Sequence, residues 1–77
     1  MTVEQEVELE ERRDAFLKAV GNSEIRHVRI AGDHRVEVAW NSSARAKLGE
    51  GWERRVGFGK TYHEALEVAF RGVEWFR

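Results

Sequence analysis

The chain has 77 residues, of which 42% are apolar and 35% are charged. This composition is typical of one small globular domain rather than of a disordered chain. The absence of cysteine excludes disulfides and thiolate metal sites. No apolar run approaches the ~20 residues of a transmembrane helix, and residues 1–11 lack the pattern of a signal peptide. We therefore expect a cytoplasmic protein, in which self-association is one way to supplement a marginal core.

The net charge of −1 conceals an uneven distribution of charge along the chain. Residues 1–24 carry a net charge of −4, whereas residues 25–63 carry +4. This asymmetry bears on the partners that the protein attracts rather than on its fold.

The first predicted element is a helix over about residues 3–20. Thr2 and Gln5 have the spacing of a capping box, and Gly21 suits the position after a helix end. Apolar residues with helical spacing form one stripe: Leu9, Phe16, Leu17 and Val20. Glutamates alternate over residues 4–10, so a strand over residues 3–10 is one alternative, and a frayed acidic tail over residues 1–8 is another.

Residues 24–31 and 35–41 alternate as two strands of a hairpin. A three-residue loop at residues 32–34 pairs Val28 with Val38, and Ile30 with Val36, so that apolar faces match. A two-residue loop at 32–33 mixes the faces, and we therefore predict the three-residue loop. In this register the opposite face carries His27, Arg29, Arg35 and Glu37, with Arg29 across from Glu37.

A long polar loop is predicted over residues 41–51, followed by a third strand over residues 52–58. In that strand Trp52, Val56 and Phe58 point to one side, together with Arg54, and Glu53 and Arg55 point to the other.

The last predicted element is an amphipathic helix that begins at a capping box formed by Thr61 and Glu64. Its apolar face comprises Tyr62, Ala65, Leu66, Ala69, Phe70, Val73 and Phe76. The predicted fold is therefore a single α+β domain over residues 1–77. Its order is α-β-β-β-α, with two helices packed on one face of a three-stranded antiparallel sheet.

This element order resembles that of the double-stranded-RNA-binding domain. The resemblance covers the whole chain in topology and implies binding to RNA. The start of the last helix, where that family has a basic lysine cluster, is here Lys60-Thr61-Tyr62-His63-Glu64.

A second resemblance concerns about a fifth of the chain. The stretch Gly59-Lys60-Thr61-Tyr62-His63-Glu64-Ala65-Leu66 is similar to the strand-to-helix junction of small HicB-like proteins and of phage proteins of the ABA-sandwich type. This resemblance implies a small regulatory or phage-encoded binding protein rather than an enzyme.

No arrangement of residues in the sequence is typical of catalysis or of a cofactor site. The three histidines, His27, His34 and His63, lie far apart in sequence, and zinc sites usually have at least two ligands at short spacing. We therefore predict solvated histidines, no metal, no cofactor and no enzymatic activity.

Two surfaces are candidates for binding. Basic residues over the middle of the chain form an anion-binding or nucleic-acid-binding set: Arg29, Arg35, Arg45, Lys47, Arg55 and Lys60. A lattice of cross-strand ion pairs with Glu37 and Glu53 is the alternative interpretation of this set, and no aromatic residue is expected on that face.

The second candidate surface is the flank of the last helix that contains Val68, Gly72 and Trp75, because an exposed tryptophan beside a small residue is a frequent interface anchor. Burial of Trp75 over the end of the domain is the alternative. The leading functional hypothesis is a non-catalytic module that binds another protein, with self-association as a second mode. The alternative hypothesis is a regulator that binds nucleic acid.

Overall fold

The computed structural model describes residues 1–41 and 52–71. It confirms the predicted α+β class and the order of elements. The elements are α1 (Val3–Ala19), β1 (Ser23–Ile30), β2 (Asp33–Asn41), β3 (Trp52–Gly59) and α2 (Tyr62–Phe70). The three strands form one antiparallel sheet with β2 in the centre. Of the predicted loop over residues 41–51, Asn41 belongs to β2, and residues 42–51 lie outside the described residues, as do the predicted last turns of the second helix.

Both helices begin at the predicted threonine caps. The Thr2 hydroxyl accepts a hydrogen bond from the Gln5 backbone, and the Gln5 side chain accepts one from the Thr2 backbone. Thr61 likewise accepts from the Glu64 backbone, whereas the Glu64 carboxylate reaches the backbone N–H of Lys60. These bonds satisfy amide groups that a helix N-terminus leaves unpaired. Residues 3–8 are therefore helical rather than a strand.

The hairpin between β1 and β2 differs from the predicted one. Its loop has two residues, Ala31 and Gly32, and both have a positive φ, of 50° and 87°. Positive φ at both central positions is characteristic of a type I′ turn, whose twist matches that of the flanking strands. The turn pairs Ile30 directly with Asp33.

This turn shifts the register by comparison with the predicted pairing. Val28 pairs with Arg35 rather than Val38, and Glu37 pairs with Arg26 rather than Arg29. Because side chains alternate along a strand, the shift reverses the two faces of β1. The predicted register was therefore wrong, and matching of apolar faces does not determine this hairpin.

The face of the sheet that the helices cover is here called the inner face. On β2 it carries Val36 and Val38, which are fully buried, and the largely covered Trp40. On β1 it carries Ile25, which is directly opposite Val38. The core also contains Leu9 and Phe16 of α1, and Ala65, Leu66, Ala69 and Phe70 of α2.

Helix α2 lies directly on β3 because two inner-face positions of that strand are glycines. A Cβ atom added to Gly57 would be 2.2 Å from the Ala65 carbonyl oxygen and 2.4 Å from the Ala69 backbone nitrogen. A Cβ atom on Gly59 would be 2.7 Å from the Ala65 nitrogen. Small residues on both elements therefore permit backbone-to-backbone packing.

Helix α1 reaches the core through two side chains, of which Phe16 is the more deeply buried. Its ring meets Trp40 and Phe70 edge to face, with centroids 6.1 and 5.8 Å apart. Such geometry adds about 0.5–1.5 kcal/mol per pair beyond burial of area. Among the described residues, no helix is both long and apolar enough to cross a membrane.

Replacement of Gly57 with alanine tests the packing of α2 on β3. We expect Gly57→Ala to lower the free energy of unfolding by about 1–3 kcal/mol, because the new methyl group forces the helix away from the strand. Urea denaturation measures the loss. Gly21→Ala is the matched control, since nothing lies within 4 Å of a Cβ atom there. Equal stability of both variants would disprove the close packing.

Candidate interaction surface

The face of the sheet opposite the helices is here called the outer face. It carries side chains from all three strands: Glu24, Arg26, Val28 and Ile30 of β1, Asp33, Arg35, Glu37, Ala39 and Asn41 of β2, and Trp52, Arg54, Val56 and Phe58 of β3. The sequence predicted the two-sided alternation of β3, and the structure confirms it. The apolar side of β3, however, faces away from the helices.

Large apolar side chains of the outer face lie on its two edge strands and are exposed. The most exposed is Phe58, at 59%, and Val28 and Ile30 are exposed by 47% and 49%. Val56 and Trp52 are exposed to a smaller extent. Isolated exposed apolar residues are ordinary, but a group of five on one sheet face is typical of an interaction surface.

An ionic centre lies between these apolar edges. The Glu37 carboxylate is 3.4 Å from a guanidinium nitrogen of Arg35 and 3.4 Å from one of Arg54. Only 11% of the Glu37 side chain is exposed. Two guanidinium groups share one carboxylate, so the centre carries a net charge of +1.

Strand pairing places the ionic centre and the apolar residues in adjacent rows. Val28, Arg35 and Phe58 form one row across the sheet, and Arg26, Glu37 and Val56 form the next. The Arg35 side chain, which is 30% exposed, is thus flanked by an apolar residue on either side. Apolar neighbours limit the access of water and strengthen electrostatic interactions at such a position.

The predicted basic set does not form one surface. Arg35 lies on the outer face, whereas Arg29 and Arg55 lie on the inner face, where the Arg55 guanidinium is 5.7 Å from the centroid of the Trp40 ring. The prediction that these three arginines share the face opposite the helices was therefore wrong, because it depended on the incorrect register. Arg45 and Lys47 lie outside the described residues.

Lys60 forms an ion pair instead of extending the basic set. Its Nζ is 2.9 Å from an Asp33 carboxylate oxygen, and this contact raises the pKa of Lys60. Lys60 is highly exposed, so solvent screens the pair. A raised lysine pKa gives a contribution to stability that is present below the unfolded-state pKa and is lost as the pH rises through the folded-state pKa.

The flank of α2 that was predicted as a second candidate is described only in part. Val68 is 37% exposed, in agreement with its predicted place outside the buried stripe. Gly72 and Trp75 lie outside the described residues, and this surface stays a prediction. Glu67 and Arg71 form an i, i+4 ion pair on this helix, with a nitrogen-to-oxygen distance of 2.9 Å.

Tyr62 lies at the centre of a polar cluster on the inner side of the domain. Its hydroxyl accepts a hydrogen bond of 3.0 Å from Arg13, and this bond is the main cause of a raised pKa of Arg13. Its ring contacts the imidazoles of His27 and His63, with centroids 4.7 and 5.4 Å away. His63 in turn lies 2.8 Å from the Glu10 carboxylate. The cluster therefore connects α1, β1 and α2.

The three histidines are consequently closer together than the sequence predicted. His27 and His34 lie on the inner face at diagonal positions of neighbouring strands, and their nearest ring nitrogens are 2.7 Å apart. His27 was expected on the face opposite the helices, and the reversal of β1 shows that this expectation was wrong. The sequence contains one signal for the cluster around Tyr62, which is the position of this aromatic residue next to His63 at the start of α2.

Comparison of the chain with family models, with curated proteins and with solved structures gives no match. The resemblances to the double-stranded-RNA-binding domain and to HicB-like and ABA-sandwich proteins therefore stay predictions. The described residues contain no group of three or more His, Cys, Asp or Glu side chains placed to hold a metal ion.

The contact between Arg13 and Tyr62 provides a test of how α1 is held. We expect Tyr62→Phe and Arg13→Met each to lower the free energy of unfolding by about 1 kcal/mol, because each removes one partially buried hydrogen bond. The double variant should cost less than the sum of the two, which a double-mutant cycle measures by urea denaturation. Arg12→Met is the control, since Arg12 bonds only within α1, to Glu8. Strict additivity would show that the two side chains do not interact.

Proposed function

We propose that this protein is a non-catalytic module that binds another protein through the outer face of its sheet. The observation that carries the proposal is the group of exposed apolar residues around the ionic centre of Glu37, Arg35 and Arg54. Aromatic side chains and arginine are enriched among the residues that dominate the energetics of protein interfaces.

The charge of the ionic centre indicates the chemistry of the partner. Arg35 and Arg54 together carry one positive charge more than Glu37 neutralises. Both guanidinium contacts to Glu37 are long, at 3.4 Å, so each arginine retains capacity for a further acceptor. A partner segment with apolar side chains around one carboxylate would satisfy both features of the surface.

Protein binding is favoured over nucleic-acid binding by the overall charge of the outer face. Three basic residues on it, Arg26, Arg35 and Arg54, are balanced by three acidic ones, Glu24, Asp33 and Glu37. A surface that tracks a phosphate backbone needs an excess of positive charge. The arginines of the described strands are divided between the two faces of the sheet, since Arg29 and Arg55 lie on the inner face.

One observation favours the alternative function. Contrary to the prediction, the outer face does carry aromatic side chains, Trp52 and Phe58, alongside arginines. Aromatic rings beside arginine are also the elements of a platform on which unpaired bases stack. The test below therefore includes single-stranded RNA as a second probe.

Selection of peptides from a displayed random library against the immobilised protein tests the proposed partner chemistry. We expect selected peptides to combine apolar residues with Asp or Glu. Phe58→Ser should weaken their binding more than about tenfold, because Phe58 is the most exposed apolar residue of the surface. Val68→Ser is the matched control, since Val68 is exposed on α2, which covers the opposite face of the sheet.

Three results would contradict the proposal. Peptides that bind Phe58→Ser as tightly as the unmodified chain would exclude the outer face. Binding of labelled single-stranded RNA that falls steeply between ~50 and ~200 mM salt would favour the nucleic-acid alternative. A dimer whose dissociation is caused by Phe58→Ser, measured by sedimentation equilibrium, would show that the outer face binds a second copy of the chain.

A further inference from the structure

We propose that His27 and His34 form a two-histidine site for a transition-metal ion of the zinc class. The site lies on the inner face of the hairpin, away from the outer face, and it does not depend on the proposed protein-binding function. It was not predicted from the sequence, in which the two histidines are seven positions apart.

The relative orientation of the two rings is the first observation that supports this site. The distance of 2.7 Å joins Nε2 of His27 to Nδ1 of His34, whereas the ring centroids are 4.9 Å apart and the ring planes differ by 14°. The two nitrogens are thus much closer than the ring centres, and the rings are almost parallel. The rings therefore meet edge to edge, with one nitrogen of each directed at the other, rather than face to face.

This arrangement aims two in-plane nitrogen lone pairs at a common point. In the absence of metal, one nitrogen must carry a proton and donate it to the other, since a neutral imidazole has one donor and one acceptor nitrogen. A metal ion would be bound by both neutral rings once the donor imidazole adopts its other tautomer, in which the proton lies on the ring nitrogen that is directed away from the site. Imidazole is the ligand that zinc, copper and nickel prefer, whereas magnesium and calcium prefer oxygen.

The geometry requires only a small adjustment to accept zinc. With Zn–N bonds of 2.0–2.1 Å and a tetrahedral angle, two ligand nitrogens lie about 3.3 Å apart. The observed nitrogens are 2.7 Å apart, so a small rotation of each ring about its side-chain bonds is sufficient. His27 is exposed at the edge strand β1, so that water has access to the remaining coordination positions.

The surroundings hold the His27 ring in place. Tyr62 lies against it, with centroids 4.7 Å apart, and Tyr62 is itself held by the hydrogen bond from Arg13. Strand pairing places His34 directly opposite Arg29. The Glu10 carboxylate is hydrogen-bonded to His63. The positive charges of Arg13 and Arg29 oppose a cation, so we expect a site of modest affinity.

Calorimetric titration of the full chain with zinc chloride tests the site. We expect one zinc ion per chain, and both His27→Gln and His34→Gln should weaken binding more than about tenfold, since each removes one of the two ligands. His63→Gln is the matched control, because His63 is bonded to Glu10 instead. Excess magnesium should not displace the zinc.

A second measurement identifies the ligand atoms and does not depend on affinity. In nitrogen NMR spectra of the imidazoles, zinc should shift Nε2 of His27 and Nδ1 of His34 and leave the His63 nitrogens unchanged. Equal zinc affinity in all four proteins, loss of binding in His63→Gln, or coordination through other nitrogens would overturn the proposal. Circular dichroism in the presence of a chelator establishes that each variant is folded before titration.

Discussion

The close contact between α2 and β3 is the constraint on which the rest of the structure depends. Gly57 and Gly59 have no side chains on the inner face, so the backbone of the helix rests on the backbone of the strand at Ala65 and Ala69. With glycine at these positions, β3 contributes no large apolar side chain to this part of the core. Its apolar residues, Val56 and Phe58, lie at the intervening positions and are directed away from the helices.

The hairpin turn similarly directs Val28 and Ile30 of β1 away from the helices. A two-residue turn pairs Val28 with Arg35 and leaves Ile25 as the residue of β1 that packs against the core. The large apolar residues of the central strand, Val36, Val38 and Trp40, therefore face the helices, whereas most of those on the two edge strands face outward. This division produces both the compact inner core and the exposed apolar outer face.

Much of the fold was predictable because its signals are local. The threonine caps, the buried stripe of α2 and the alternation of β3 each depend on residues a few positions apart, and the structure confirms them. The register was not predictable in this way. Ala31 has a positive φ of 50°, which non-glycine residues seldom adopt, so the sequence contains no turn motif at that position.

Strand register determines the face on which each candidate binding residue lies, so the candidate sites were predictable only in part. Arg35 was correctly expected on the outer face, but Arg29 and Arg55 were assigned to the same face because the predicted strand pairing was wrong. The contact between His27 and His34 depends on which face of β1 is covered. Sequence periodicity identifies two faces of a strand, but it does not show which one the helices cover when both carry apolar residues.

Thiol labelling tests the orientation of the sheet, because it reports which residues of each strand the helices cover. The chain has no cysteine, so Val28→Cys and Val38→Cys each introduce a single reporter. The structure predicts that the thiol at position 28 reacts with an aromatic disulfide reagent about as fast as a free thiol. The thiol at position 38, which replaces a fully buried side chain, should react only on unfolding. Protection of both thiols in the folded protein would mean that both positions lie on the covered face. That result would contradict the placement of Val28 on the outer face.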